Sequence, residues 1–386
     1  MRLRHAAFFA AALAAFSQTG HAAQGVSDTT VAFGQVAVLD GPAAALGQGM
    51  REGILAAFAE ANARGGVHGR TLTLDSRDDG YEPDLSAQHV RAFVAEDSVL
   101  GLLGPVGTPT ALAAQPIATE AGMPYVGPFT GAGFLRNPAF ANVFNLRASY
   151  GAETEMWIRH LVDERGMKNI AILYQDDGFG RAGLDGVVAA LDRRGMKLAA
   201  EGAFTRNTVA VRSALLEIRR AEPEAVVMVG PYKPMAEFIR LSKSLKFAPT
   251  FVNISFVGSD ALAAELGPDG EGVIISQVVP FPWDDSLPVV KAYHAALAAA
   301  APEARPGFVS LEGYLVGRLA IAALEKAGPA PTRESFLAAL GAMGAHDLGG
   351  VTVSFGPGDN QGMDSVWMTR IKADGGFEPL PVGGAS

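Results

Sequence analysis

Short apolar segments alternate with helical segments along almost the whole of this 386-residue chain. The helical segments have apolar residues at helical spacing, as residues 47–63 do with Met50, Ile54 and Phe58. Strands that alternate with helices favour a parallel sheet covered by helices on both faces. The sequence therefore predicts an α/β fold of two units, with strands at 31–39, 71–75, 99–103 and 124–127 in the first unit and at 169–174, 197–202, 225–229, 250–253 and 272–278 in the second.

Residues 99–113 combine a buried strand, a tight turn and the start of a helix. Thr108 is the predicted N-cap, and Pro109 fits the first helical position, where its missing N–H costs nothing. A helix N-terminus at the carboxyl end of a parallel strand presents free N–H groups to an anion. Because turns of this kind are common in α/β folds without any ligand, the predicted anion site needs support from the rest of the chain.

Residues 1–22 have the pattern of a secretory signal peptide. Arg2 and Arg4 precede an apolar core at 6–16, and Gly20-His21-Ala22 offers small residues for cleavage. The core of eleven residues is too short to span a bilayer. We therefore expect cleavage after Ala22 and a protein of the periplasm, with no lipid anchor because the chain has no cysteine.

The charge balance argues against two classes of partner. Two of the 31 Lys and Arg residues leave with the signal segment, which has no acid, so 29 basic residues face 40 acidic ones, a formal charge of −11. A chain this acidic is not expected to bind nucleic acid or an anionic membrane surface. The absence of cysteine also excludes thiol catalysis and cysteine-ligated zinc.

The last part of the chain does not form a third unit. Helices are predicted at 289–300, 310–327 and 332–343, the last with Thr332 as N-cap, and strands at 351–355 and 365–371. These elements are too few to bury a core of their own. We expect them to be shared between the two units, so that the chain crosses between them more than once and forms a hinge.

Four groups of residues resemble type I periplasmic solute-binding proteins, in the branched-chain amino acid group that includes the leucine/isoleucine/valine-binding protein. They are Asp40-Gly41-Pro42, Gly47, residues 60–70 and Asp78-Asp79. The likeness continues through 99–113, 174–180 and 230–234. On their own residues, the glycines at 65, 66 and 69 and the two aspartates favour turn formation over a ligand role.

The resemblance implies two Rossmann-like lobes with parallel central sheets, joined by a hinge of three crossovers. Lobe 1 would comprise 23–145 and 279–355, and lobe 2 would comprise 146–278 and 356–386, with crossovers near 144–147, 278–281 and 355–358. The lobes would close on a small-molecule ligand and deliver it to the permease subunits of an ABC importer in the inner membrane. We expect a monomer without a cofactor.

The resemblance also implies which first-lobe residues contact the ligand. Thr108 matches the hydroxyl residue that binds the ligand carboxylate together with backbone N–H groups. Thr130, with Phe129 beside it, matches a second contact in the turn after the next strand. Leu46 matches an aromatic position in the pocket wall.

In the second lobe, Phe179 and Tyr232 match aromatic walls. Tyr150 and Ser255 stand where the family has an aspartate and a glutamate that hold the ligand ammonium group. A buried ammonium without an acidic partner costs several kcal/mol. We therefore predict a hydrophobic or aromatic carboxylate or amide rather than a plain amino acid.

Three alternatives stay open at this point. Asp176, Asp177 or Glu153 could supply the missing charge from a shifted position, which would favour a branched-chain or other hydrophobic amino acid. The protein could also sense a ligand for a separate receptor. Arg147, at the first crossover, could bind a ligand carboxylate or pair with an acid across the hinge, and we favour the pair.

Enzyme activity is not expected. The chain has no Gly-x-Ser-x-Gly elbow, no phosphate loop ending in Gly-Lys-Ser/Thr and no His-Glu-x-x-His motif. Its histidines beyond residue 22 lie apart without metal-ligand spacing, at positions 68, 89, 160, 294 and 346.

Overall fold

A five-stranded parallel sheet forms the first lobe of the structure, a computed structural model that describes residues 24–381. Its strands are β1 (Thr30–Ala37), β2 (Thr71–Asp78), β3 (Leu102–Leu103), β4 (Tyr125–Val126) and β5 (Val143–Phe144). Their order in the sheet is β2-β1-β3-β4-β5. The helices that follow the first three strands are α1 (Ala44–Ala63), α2 (Pro83–Glu96) and α3 (Thr108–Glu120).

The second lobe begins at helix α4 (Tyr150–Ile158), which continues as a π-helical segment at Arg159–Glu164. Four strand–helix repeats and a last strand follow, namely β6 (Ile170–Gln175), α5 (Gly178–Asp192), β7 (Ala200–Phe204), α6 (Arg212–Arg220), β8 (Ala225–Val229), α7 (Tyr232–Ser244), β9 (Thr250–Asn253), α8 (Ser259–Leu266) and β10 (Ile274–Gln277). These five strands are parallel and lie in the order β10-β9-β8-β6-β7.

The last part of the chain divides between the lobes, as expected for elements too few to bury a core of their own. It contains α9 (Pro288–Ala300), α10 (Phe308–Ala327), α11 (Arg333–Gly341), β11 (Gly344–Asp347), β12 (Thr352–Phe355), β13 (Trp367–Ile371) and β14 (Phe377–Pro379). The helices α9 and α10 pack against α1 of the first lobe. Strands β13 and β14 extend the second sheet as antiparallel edge strands. The lobe boundaries given above stay a prediction.

Most predicted elements are present, with several corrections. The strand expected at 99–103 keeps only Leu102 and Leu103 in the sheet, although all five residues are buried. Strands β5, β11 and β14 and helix α8 were not predicted. The two central sheets are parallel as predicted except at the edge formed by β13 and β14, and β11 and β12 form a separate antiparallel pair.

Thr108 does not cap helix α3, so that prediction was wrong. The helix begins at Thr108 itself, and the N-cap is Gly107, which has a φ of 104°. A Cβ atom at Gly107 would lie 2.4 Å from Cε2 of Tyr81. The tight packing of Tyr81 and the positive φ therefore require a glycine at the cap, and the Thr108 hydroxyl is free for another partner.

Helices α1 and α10 approach each other backbone to backbone through glycines. A Cβ atom at Gly53 would lie 2.0 Å from the carbonyl oxygen of Ser310, and one at Gly313 would lie 2.3 Å from that of Met50. Each of these helices has 20 residues, yet no helix within residues 24–381 is long and apolar enough to cross a membrane. The two helices form the most extensive contact of the first lobe.

We predict that Gly53→Ala destabilises the protein by at least about 1–3 kcal/mol, because the added methyl group overpacks a contact made by backbone atoms. Gly151→Ala is the matched control, since Gly151 is exposed in helix α4 and its Cβ would meet only the Ser149 hydroxyl oxygen, at 3.6 Å. The control should raise stability by up to about 1 kcal/mol through helix propensity. Urea unfolding measures both, and equal effects would contradict the prediction.

Candidate ligand-binding site

Thr108 and Thr130 meet at the carboxyl ends of two neighbouring parallel strands. Strands β3 and β4 pair side by side, so the turns that follow them lie together. The two threonine hydroxyl oxygens are 2.6 Å apart, and both side chains are buried. The sequence thus placed these two residues in one cluster, next to the first turn of α3.

Two buried donors beside this threonine pair make no hydrogen bond of standard geometry within residues 24–381, namely the hydroxyl group of Tyr150 and Nη1 of Arg147. The Tyr150 hydroxyl lies beside the Thr130 side chain, and the Arg147 guanidinium lies against the Phe129 ring. The buried Tyr81 hydroxyl also makes no bond of standard geometry, but it lies beside the side chain of Gln175. Burial raises the pKa of Tyr150 to about 12 and that of Tyr81 further, so both phenols stay protonated. Tyr150 and Arg147 can therefore each donate a hydrogen bond to an anion, and leaving a buried donor unpaired costs about 1–3 kcal/mol.

Close backbone contacts hold these groups beside the threonines. The ring of Tyr150 packs on Gly131, whose carbonyl oxygen accepts a 2.7 Å bond from the Tyr150 N–H. The guanidinium of Arg147 lies 4.3 Å from the centroid of the Phe129 ring. Tyr81 packs on Gly107 and has a φ of 62°, a left-handed conformation that a tyrosine rarely adopts. Strained residues of this kind cluster at functional sites.

Arg147 pairs with an acid, the role that the sequence favoured. Its Nε donates a 2.8 Å bond to Oε1 of Glu312 on α10, and its Nη2 donates a 2.8 Å bond to Oε2 of the same carboxylate. Both side chains are fully buried. Burial alone would lower the pKa of Arg147, but the Glu312 carboxylate reverses this and raises it above its ordinary value. Arg147 is therefore charged. Glu312 pairs with its Nε and Nη2, and its Nη1 has no partner within residues 24–381.

Glu153 is the one acid of the three alternatives that contacts Ser255, the residue at the position of the family's glutamate. Its two carboxylate oxygens accept bonds of 2.9 Å from the Ser255 N–H and hydroxyl, and the Ser276 hydroxyl donates a third bond at 2.5 Å. Burial raises its pKa above the ordinary value. The carboxylate is thus held by hydroxyl and amide donors of the second lobe.

The other two acids have local roles. Asp177 is the N-cap of α5 and accepts bonds from the N–H groups of Phe179 and Gly180. Asp176 is exposed and pairs with Arg181 at 2.7 Å. The Asp177 carboxylate nevertheless lies near the buried Tyr81 hydroxyl, whose pKa it raises further.

Aromatic rings from both lobes meet beside the donors. Phe256 of the second lobe lies between Phe129 of the first lobe and Phe179, with ring centroids at 5.2 and 4.6 Å, and Tyr150 lies 5.4 Å from Phe179. Leu46 and Tyr232 meet further along the cleft. The Tyr232 hydroxyl oxygen is 3.5 Å from the Ala45 nitrogen. A Cβ atom added at Gly258 would lie 2.6 Å from Cδ2 of Leu46.

The sequence missed Tyr81, Phe256, Ser276 and Glu312. Tyr81 and Phe256 follow the carboxyl ends of β2 and β9, where the rule for ligand sites in α/β sheets could have flagged them. Glu312 had no local signal, because its partner is far away along the chain. Among the residues from 24 to 381, no three His, Asp or Glu side chains are grouped to bind a metal.

Comparison with known proteins agrees with this architecture. A family model described as periplasmic binding protein matches residues 30–376. The Leu/Ile/Val-binding protein BraC3 of Rhizobium johnstonii is 26% identical over 330 residues, 84% of this chain and 85% of the relative.

Solved structures superimpose over almost the full length. A possible leucine/isoleucine/valine-binding protein from Rhodopirellula baltica SH 1 has a TM-score of 0.87 and 39% identity, covering 92% of this chain and 97% of that chain. A substrate-binding periplasmic protein from Ralstonia solanacearum has a TM-score of 0.85 and 27% identity, covering 91% of this chain and 100% of that chain.

The chain therefore belongs to the periplasmic binding protein family, among the type I proteins whose relatives are named for leucine, isoleucine and valine. This confirms the family and the fold that the sequence predicted. The family consists of solute-binding proteins of the periplasm.

The double aspartate beside Tyr81 forms a turn, as predicted. Oδ1 of Asp78 accepts bonds from the N–H groups of Leu39 and Gly80, and Oδ1 of Asp79 accepts a 2.9 Å bond from the N–H of Tyr81. Asp79 is fully buried, and burial raises its pKa to about 7. The folded protein therefore binds a proton at Asp79 more tightly than the unfolded chain does.

We predict that Asp79→Asn gains stability relative to the wild type as pH rises from about 4 to about 7. In this window the unfolded wild-type carboxyl ionises while the folded one stays protonated, so the wild type alone loses stability at this site, by at most about 1.4 kcal/mol per pH unit. The difference should level off above pH 7. Urea unfolding across this range measures it, with the exposed Asp185→Asn as control. A difference that does not change with pH would contradict the prediction.

Proposed function

We propose that this protein is the periplasmic substrate-binding component of an ABC importer and that its ligand is a small hydrophobic or aromatic carboxylate. The signal segment is removed during export, and the monomeric protein captures the ligand between its lobes. Ligand contacts from both lobes favour closure about the hinge. The closed protein then docks on the permease subunits in the inner membrane.

The unpaired donors next to the threonine pair are the observation that supports an anionic ligand. The free Nη1 of Arg147 and the protonated hydroxyl group of Tyr150 lie beside Phe129 and Thr130, near the N-terminus of α3. Each donor gains a partner when a carboxylate binds, and a hydrogen bond to a charged group contributes about 1.5–3 kcal/mol. An amide carbonyl accepts from the same donors without the gain from charge.

An ammonium group has little to bind there. Tyr150 and Ser255 carry no charge, and the oxygens of Glu153 already accept three hydrogen bonds. The position of Glu153 on Ser255 nevertheless makes a hydrophobic amino acid the second candidate, because a ligand ammonium that replaced one serine hydroxyl would reach a carboxylate. The two candidates differ only in the group at the α-carbon.

Calorimetric titration with matched ligands tests the proposal. Leucine, 4-methylpentanoate and 4-methylpentanamide share one carbon skeleton and differ in the ammonium and carboxylate groups. We expect 4-methylpentanoate or an aryl carboxylate such as phenylacetate to bind at least about 10-fold more tightly than leucine, because the burial of an unpaired ammonium costs more than 1.4 kcal/mol. Tight leucine binding with no carboxylate binding would overturn the proposal and favour the second candidate.

Thr108→Val should weaken carboxylate binding by about 10- to 100-fold, the loss of a hydrogen bond to a charged group. Valine keeps the shape of threonine, and Thr108→Ser is the control because it keeps the hydroxyl. The same calorimetric titration gives the affinities, and the melting temperatures show whether the fold is intact. Equal carboxylate affinities for the valine and serine variants would exclude Thr108 from the site.

A further inference from the structure

Phe256 is a second-lobe ring inserted between the aromatic walls of the cleft. It lies in a short 3-10 turn, Ser255–Val257, directly after β9, and its side chain is fully buried. Its ring centroid is 5.2 Å from that of Phe129 and 6.0 Å from that of Tyr81, both in the first lobe. On the second-lobe side it is 4.6 Å from Phe179.

The space left beside the donors is small. The cavity lined by Phe129, Arg147, Ser255 and Glu312 has a volume of about 10 Å³, which is close to the minimum for a single water molecule. An organic carboxylate that reaches the free Nη1 of Arg147 therefore needs room for its body. The ring of Phe256 fills the neighbouring slot, which we define by the rings of Tyr81, Phe129 and Phe179.

The backbone of the turn is held next to Phe256. Ser255 is bonded through its N–H and hydroxyl to Glu153. Two residues after Phe256, Gly258 has a φ of 78° and ends the turn. We therefore expect a ligand to displace the Phe256 side chain rather than the loop.

We propose that Phe256 determines the size of the ligand, because the ligand's body takes the place of the Phe256 ring in the slot formed by Tyr81, Phe129 and Phe179. The inference rests on the proposed function and adds a ligand class to it, namely carboxylates with a single aromatic ring. Such a ring makes the same face and edge contacts that Phe256 makes. Its carboxylate then faces the threonine pair and Arg147.

Phe256→Ala tests the proposal, since alanine leaves the slot empty. We expect the variant to bind phenylacetate at least 5-fold more tightly than the wild type, because no ring has to be displaced. It should also bind 2-naphthylacetate, whose second ring the wild type has no room for. The affinities of Phe256→Leu for phenylacetate and 2-naphthylacetate should lie between those of the wild type and of Phe256→Ala.

Phe238→Ala is the matched control. Phe238 is a fully buried phenylalanine of the same lobe, on α7, and its ring contacts Phe251, 6.4 Å away. This variant should lose stability as Phe256→Ala does but keep the wild-type ratio of naphthylacetate to phenylacetate affinity. If Phe256 is instead a fixed wall, Phe256→Ala will weaken all ligands by a similar factor, and this result would overturn the inference.

An amino acid series separates this outcome from a failure of the proposed function. Valine, leucine and phenylalanine are titrated into the same variants. A change of size preference in this series alone would overturn the carboxylate class and retain Phe256 as the residue that sets ligand size. An unchanged size preference in both series would overturn the role of Phe256.

Discussion

The buried ion pair between Arg147 and Glu312 is the interaction on which hinge and site both depend. Removing two charges from water is costly, and the pair persists because two parallel hydrogen bonds satisfy it. The carbonyl oxygen of Arg147 also accepts a 2.7 Å bond from the side chain of Gln361, in the last segment that connects the lobes. The same two segments are also joined by the 2.8 Å bond from the Asn145 N–H to the Asn360 carbonyl. One residue thus links two crossing segments to a helix of the first lobe.

This arrangement explains which edge of Arg147 is left for the proposed ligand. Glu312 occupies Nε and Nη2, and the Phe129 ring covers one face of the guanidinium, so Nη1 is the remaining donor. A ligand that accepts this hydrogen bond contacts the first lobe and the hinge together. Across the cleft, Arg206 and Asn207 of the second lobe each donate a 2.7 Å bond to the carboxylate of Glu82 in the first. These bonds favour the arrangement in which the lobes are in contact.

Much of the fold could be predicted because its strands and helices are local patterns in the sequence. The predicted N-cap at Thr108 was wrong because a contact with Tyr81, far away in the chain, requires glycine at position 107. The family resemblance predicted Thr108, Thr130, Tyr150 and Ser255 as ligand contacts, and the structure brings Thr108 and Thr130 together. It could not identify Glu312 or Phe256, since their roles arise from contacts made only when the lobes meet. The hydrophobic periodicity of the sequence also did not predict β5. This strand has only two residues, which pair with β4 just before the chain enters the hinge.

The glycine-mediated contact between α1 and α10 has a mechanical consequence for this molecule. Backbone atoms in contact leave no side-chain layer between the helices that could deform, so α10 cannot slide along α1. Glu312 is therefore part of a rigid unit, and a displacement of Arg147 moves the whole first lobe with it. Labels placed anywhere on the outer surface of that lobe would report the same rotation, which makes the protein a suitable frame for a two-dye sensor of its ligand.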